Sequence, residues 1–138
     1  MRLSIASVLF FVLFTFDASA QKPIVLTSPD NTLQFQFQIF EGMAMYSVAY
    51  KKTIVIDQSR IGLTFSHGSF NDNLKTGKIK RRQAEENYEL VVGKVRSVKE
   101  RFNEVVIPIQ QTENDIRVNF VVRAFNDGVA FRYEFLEI

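Results

Sequence analysis

The chain of 138 residues carries fifteen acidic side chains, one histidine and no cysteine, and these bound the chemistry it could do. Carboxylates come close together in two places, Glu85 with Glu86 and Glu100 with Glu104. Two carboxyl groups held about 5 to 10 Å apart can act as acid and base, or acid and nucleophile, in a hydrolysis. Both groups lie in polar stretches among lysines and arginines, where carboxylates are ordinarily solvent-facing charges. Asp127, just ahead of Gly128, is expected to form a turn rather than to act as an acid. His67 sits in Ser66-His67-Gly68-Ser69. A nucleophile triad needs a buried, oriented imidazole, and this loop-like stretch is expected to leave the ring in water. The lack of cysteine removes any disulfide framework, thiolate metal site or cysteine nucleophile. There is no glycine-rich phosphate loop and no His-x-x-x-His spacing. No residue is therefore assigned as catalytic, cofactor-binding or metal-binding.

Binding chemistry offers little more. Lys75, Lys78, Lys80, Arg81 and Arg82 form a basic run. It contains none of the aromatic rings that single-stranded nucleic acid would stack on, and Glu85, Glu86 and Glu89 follow it. A solvated loop is the expected reading, with no nucleic-acid partner. Tyr46, Tyr50, Phe70 and Tyr88 are the candidates for stacking on a sugar ring, although aromatics at strand spacing mostly serve a core.

The elements that would position these residues read as strands. Leu33, Phe35, Phe37 and Ile39 alternate with Gln34, Gln36 and Gln38, which predicts a half-buried strand. Further strands are expected over Met45–Ala49, Thr53–Ile56, Ile61–Phe65, Tyr88–Val92, Lys94–Val98, Asn103–Ile109, Ile116–Phe125 and Val129–Phe135. Turns are expected at Ser28–Asn31, Glu41-Gly42 and Tyr50–Lys52. Gly62 marks a bulge or a close contact, and Pro108 an edge strand or a strand start. Between Ser66 and Asn87 the alternation fails, and a loop is expected. Phe, Val and Ile are abundant, and they favour sheet. The fold class is all-β, an antiparallel β-sandwich held by its apolar core alone.

In the last hairpin, a two-residue Asp127-Gly128 turn, whose chemistry suits positive φ, would set Ala124 against Phe131 and Phe120 against Phe135. It would also set Arg123 against Arg132, an unfavourable pairing of like charges. Either a carboxylate such as Glu134 shares them, or the turn is longer by a residue or two. Either way, the Val129–Phe135 strand is left as an apolar edge.

The first twenty residues read as a secretory signal peptide. Met1-Arg2 is the positive start, Val8–Phe16 the apolar run and Ala18-Ser19-Ala20 the cleavage site. The apolar run falls short of the roughly 20 residues that span a bilayer. A retained membrane-anchoring helix is the competing reading. The domains are then 1–20, a signal-peptide helix, and 21–138, one small domain, exported to the periplasm or beyond with no membrane attachment after cleavage.

Taken in order, these motifs resemble the N-terminal domain of glycoside hydrolase family 97, the retaining and inverting α-glucosidases and α-galactosidases of the starch-utilisation type. The resemblance rests on Ser28–Asn31 with its alternating strand, Tyr46–Lys51, Ile54–Ile56, Ser59–Leu63 and Arg96–Ile107 with Phe102-Asn103-Glu104. The Arg123–Phe135 hairpin is its most specific stretch. The chain lacks the tryptophans usual before the Arg96 region. The resemblance implies part of a β-super-sandwich that packs on a catalytic (β/α)8 barrel. It places the catalytic acids and the calcium-binding glutamates beyond the point matching Ile138, so none is carried onto this chain. It implies an α-linked oligosaccharide and calcium for the intact enzyme, and no activity for these residues alone. A stand-alone exported carbohydrate-binding or interaction module is the alternative.

Overall fold

The computed structural model describes residues 22–89 and 97–136. The signal-peptide expectation and parts of the Tyr88–Val92 and Lys94–Val98 strands fall outside them. Among the described residues every regular element is a β-strand, and all strand pairs are antiparallel. One sheet orders β1 (Ile24–Thr27), β2 (Leu33–Phe40), β3 (Met43–Tyr50) and β4 (Thr53–Ile61). β5 (Leu63–Phe65) and β6 (Gly68–Phe70) make a two-stranded ribbon. The other sheet is built on β9 (Ser97–Gln111). One flank of β9 carries β10 (Arg117–Ala124) and then β11 (Val129–Phe135). The opposite flank is shared by β7 (Leu74–Thr76) and β8 (Lys80–Glu89).

The two sheets close on a phenylalanine core. β2 alternates as its sequence predicts, with Leu33, Phe35 and Phe37 buried. Phe120 of β10 meets both rings, 6.5 Å from Phe35 and 5.8 Å from Phe37 between centroids. Val105, Ile107 and Ile109 of β9 fill the floor, with Val118 and Val122 beside them. Burying side chains of this size contributes roughly 2–3 kcal/mol each.

Turn chemistry fixes the register of the first sheet. Phe40 pairs with Met43 across Glu41-Gly42, and Tyr50 pairs with Thr53 across Lys51-Lys52. All four turn residues have positive φ, the geometry whose twist matches a two-residue hairpin. Gly42 is needed there for a second reason: a Cβ on it would lie 3.1 Å from the Asn73 amide nitrogen. Gly62 is likewise a close approach, because a Cβ would fall 2.0 Å from the Asn71 side-chain oxygen.

Three expectations are corrected. Residues 66–87 are not a loop, since β6, β7 and most of β8 lie there. β8 shows no apolar alternation because almost all of it is exposed on both faces, and its pairing with β9 holds it extended. Pro108 is neither at an edge nor at a strand start but inside the 15-residue β9. Its carbonyl accepts the Gly77 amide at 2.8 Å. Its missing N–H therefore points at the gap where β7 ends and β8 begins, and no ladder bond is lost. The last hairpin uses the longer turn, with Ala124 opposite Val129 and Arg123 opposite Ala130. Asp127 and Gly128 are not among the positive-φ residues. A slip of two residues keeps every side chain on its face and removes the clash of Arg123 with Arg132.

Candidate functional site

Register brings the charged residues together across three strands. Arg82 on β8 lies opposite Glu104 on β9, which lies opposite Arg123 on β10. The Arg82 guanidinium donates to both Glu104 oxygens, at 2.5 Å from Nε and 3.0 Å from Nη2. Arg123 Nε donates to the second oxygen at 2.7 Å. The other arm of Arg123 reaches Glu86 at 3.1 Å. Beneath this row lies Phe102, 1% exposed although its side chain is on the outer face of the sheet. Arg123 roofs its ring at 4.3 Å, and Phe125 packs beside it at 5.3 Å. Planar guanidinium groups suit this place because they stack on a ring while their edges bind a carboxylate.

Glu104 is 4% exposed, which corrects its expected place in solvent. The hydrogen bond from Arg82 pulls its carboxyl down to about 2, helped by Arg123 and opposed by burial. It is ionised at neutral pH and cannot be a general acid. Three guanidinium N–H donors occupy its oxygens, so it is poorly placed as a base or nucleophile. Glu85 is held low by Lys99 at 2.8 Å and by Arg101 at 2.8 Å. Glu86 does sit opposite Glu100 in the register, but it is exposed and tied to Arg123.

The remaining candidates stay apart. His67 is exposed, with its Nδ1 2.8 Å from the Ser66 hydroxyl. Asp127 is in the β10–β11 turn. Phe70 is a core residue, 1% exposed, whereas Tyr50 and Tyr88 are 41% and 43% exposed. Tyr46 packs against Phe35. Among the basic run, Arg81 donates to the Val25 carbonyl at 2.7 Å. With the bond from Asn103 to the Thr27 carbonyl at 2.8 Å, it clamps β1 to the second sheet. A polar cleft follows this seam, lined by Thr27, Arg81, Gln83, Asn103 and then Glu85 and Arg101. The sequence marked Arg82, Glu104 and Arg123 as charges and named Phe102 and Asn103 only within a family motif, without bringing them to one site. Only the pairing of three strands puts them in one place.

The calcium implied for an intact enzyme does not fit these residues. No three His, Asp or Glu side chains gather among the described residues. The oxygens of Glu104 and Glu85, which a hard cation would need, already serve arginine and lysine.

The family model described as glycosyl-hydrolase 97 N-terminal matches residues 26–138. A retaining alpha-galactosidase of Bacteroides thetaiotaomicron is 26% identical over 126 residues, which cover 91% of this chain and 18% of that protein. A solved β-arabinopyranosidase superposes with a TM-score of 0.77 at 27% identity, over 83% of this chain and 18% of its own. A glycoside hydrolase family 97 enzyme from Pseudoalteromonas sp. strain K8, solved with acarbose, gives a TM-score of 0.76 at 24% identity. That match covers 83% of this chain and 18% of the enzyme, and it speaks for the fold. The chain thus spans less than a fifth of the length of these relatives. It belongs to glycoside hydrolase family 97, as that family's N-terminal domain.

Proposed function

We propose that this chain is the non-catalytic N-terminal β-sandwich portion of an exported glycoside hydrolase. The intact enzyme would cleave an α-glucoside or α-galactoside, with catalysis supplied by a (β/α)8 barrel on which these strands pack and calcium held by glutamates beyond the point matching Ile138. The observation that carries the reading is Glu104. The one buried carboxylate of the candidate site is spent on two arginines, which suits a scaffold and not a reaction centre. Packing on a larger body is supported by an apolar cleft between β4 and the β10–β11 turn, lined by Leu33, Val48, Tyr50, Val55, Ile56 and Val129. Val55 there is 64% exposed, and the adjoining Ile54 is 65% exposed. Export rests on Met1-Arg2, Val8–Phe16 and Ala18–Ala20, and gives a periplasmic or extracellular location.

A stand-alone carbohydrate-binding module is the second reading, favoured by the exposed Tyr50 ring at the rim of that cleft. Hydrolysis assays of the purified chain separate the readings. Aryl α-glucoside and α-galactoside are supplied with and without calcium, alongside calorimetry with α-linked glucans. The expected result is no turnover and no heat of binding. Turnover by the chain alone would overturn the scaffold reading, and saturable glucan binding would select the module.

A further inference from the structure

An aspartate followed by glycine has a reaction open to it that other aspartates make slowly. The next backbone nitrogen can attack the side-chain carboxyl, because no Cβ on the glycine stands in the way and its backbone turns freely. Asp127-Gly128 is the one place in the chain where glycine follows an aspartate or an asparagine. Neither residue takes the positive φ that its turn chemistry suits.

Both reacting groups are open. Asp30 accepts hydrogen bonds from Ser28 and Thr32, and Asp57 from the Gln58 amide. Asp72 accepts from Gln111, and Asp115 from Gln110 and Arg117. The Asp127 carboxyl accepts from no group among the described residues, and its side chain is exposed. In the turn the Phe125 amide donates to the Gly128 carbonyl at 2.8 Å. Among the described residues the return bond, from the Gly128 amide to the Phe125 carbonyl, is not made, so the nitrogen has no hydrogen bond to break before it attacks. A Cβ on Gly128 would meet no atom within 4 Å, which leaves room beside that nitrogen for a ring.

We propose that Asp127 is a self-modification site, where the turn closes to a succinimide and reopens as isoaspartate. The Gly128 nitrogen bonds to Asp127 Cγ and gives up its proton. One carboxyl oxygen leaves as water, carrying that proton and the acid proton. Water then adds to either carbonyl of the imide. Breaking the bond from nitrogen to Cγ restores aspartate. Breaking the bond from nitrogen to the main-chain carbonyl carbon leaves the chain running through Cγ, as isoaspartate. Water is the only co-reactant. The product adds one carbon to the main chain in the turn that sets the register of β10 with β11. The same turn holds the first sheet, because Asn126 Oδ1 accepts the Asp30 amide at 3.1 Å. The change therefore falls where the two sheets are tied. The inference stands independently of the scaffold reading.

Warming the full chain at neutral pH and mapping its tryptic peptides by mass spectrometry tests it. Arg123 and Arg132 flank the site, so one peptide, Ala124–Arg132, isolates it. Isoaspartate appears as a second form of that peptide, equal in mass, which an aspartate-specific protease does not cut. Reaction in heavy-oxygen water labels it with one oxygen. The second form is expected to grow steadily in the folded chain, within a few-fold of its rate in guanidinium chloride, while Asp30, Asp57, Asp72 and Asp115 stay unchanged. Gly128→Ala should slow it several-fold. The added methyl enters open space at an ordinary φ, so the melting temperature should hold. Asp127→Asn, which expels ammonia in place of water, should speed it. A folded chain that forms no isoaspartate at residue 127 while the unfolded chain does, or isoaspartate spread evenly over the aspartates, overturns the proposal.

Discussion

Removing the charge of Glu104 is the sharpest test of how this sheet is held. Glu104→Gln keeps the shape of the side chain but sets an amide before two guanidinium groups. Its carboxyl is drawn from 4.5 to about 2 by Arg82 and Arg123. A difference of that size corresponds to about 3 kcal/mol. Arg82 is 53% exposed and can turn to water when the carboxylate is lost. Arg123 is 20% exposed and stays over Phe102 with one partner fewer. The expected cost is therefore about 2–3 kcal/mol at neutral pH, within the range for breaking a buried pair after that discount. In a domain of this size it lowers the melting temperature by roughly 10 °C.

The pH dependence identifies the group. An unfolded Glu104 takes its proton near 4.5, whereas the folded one holds its charge down to about 2. Below 4.5 the unfolded state binds more protons, so the stabilisation shrinks as pH falls toward 2. Urea unfolding of wild type and variant across that range gives a difference curve from which the other carboxylates cancel. The curve should be flat from neutral pH to about 4.5 and then fall toward zero. A variant as stable as wild type at pH 7, or a difference that does not change down to pH 2, refutes the reasoning.

Two more outcomes follow from packing. Phe102→Ala empties the space under Arg123 and beside Phe125 and should cost about 3 kcal/mol in chemical denaturation. A cost near zero would mean the outer face of the sheet carries no core of its own. Gly42→Ala meets both a φ of +77° and a Cβ contact of 3.1 Å with Asn73. It should destabilise by about 1–2 kcal/mol, and amide exchange should speed first at Leu74, whose N–H bonds the Gly42 carbonyl.

What could be read from the sequence depended on whether a strand has one wet face. β2 was plain because every second residue from Leu33 to Phe37 is buried and the glutamines between them are not. β8 was hidden because burial never alternates along it. Its strand character comes from the ladder with β9 and from pairs such as Arg82 with Glu104, none of them local in sequence. The turns divide in the same way. Glu41-Gly42 and Tyr50–Lys52 were both legible as turns, but only the first has a glycine to announce its positive φ; Lys51 and Lys52 both adopt positive φ with no glycine or asparagine. There the pairing of β3 with β4 overrides local preference. Asp127-Gly128, the most suggestive turn signal in the chain, forms a different turn, because the closer register would have placed two arginines face to face.

The candidate site was illegible for a further reason. Alternation assigns one face of β9 and β10 to the core and the other to water, and by that rule Phe102, Glu104 and Val121 belong outside. All three are 4% exposed or less. The outer face therefore holds a second, thin layer. Arg123 and Phe125 roof Phe102, and two guanidinium groups cover Glu104. A carboxylate can be buried this way because it is sealed by the same arginines that neutralise it, so its desolvation is offset where it arises. That arrangement removes Glu104 from acid–base chemistry and makes it a fastener across β8, β9 and β10. Glu104, one of the four carboxylates that come close together in the sequence, is the one that ties the outermost charged strand, β8, to the sheet.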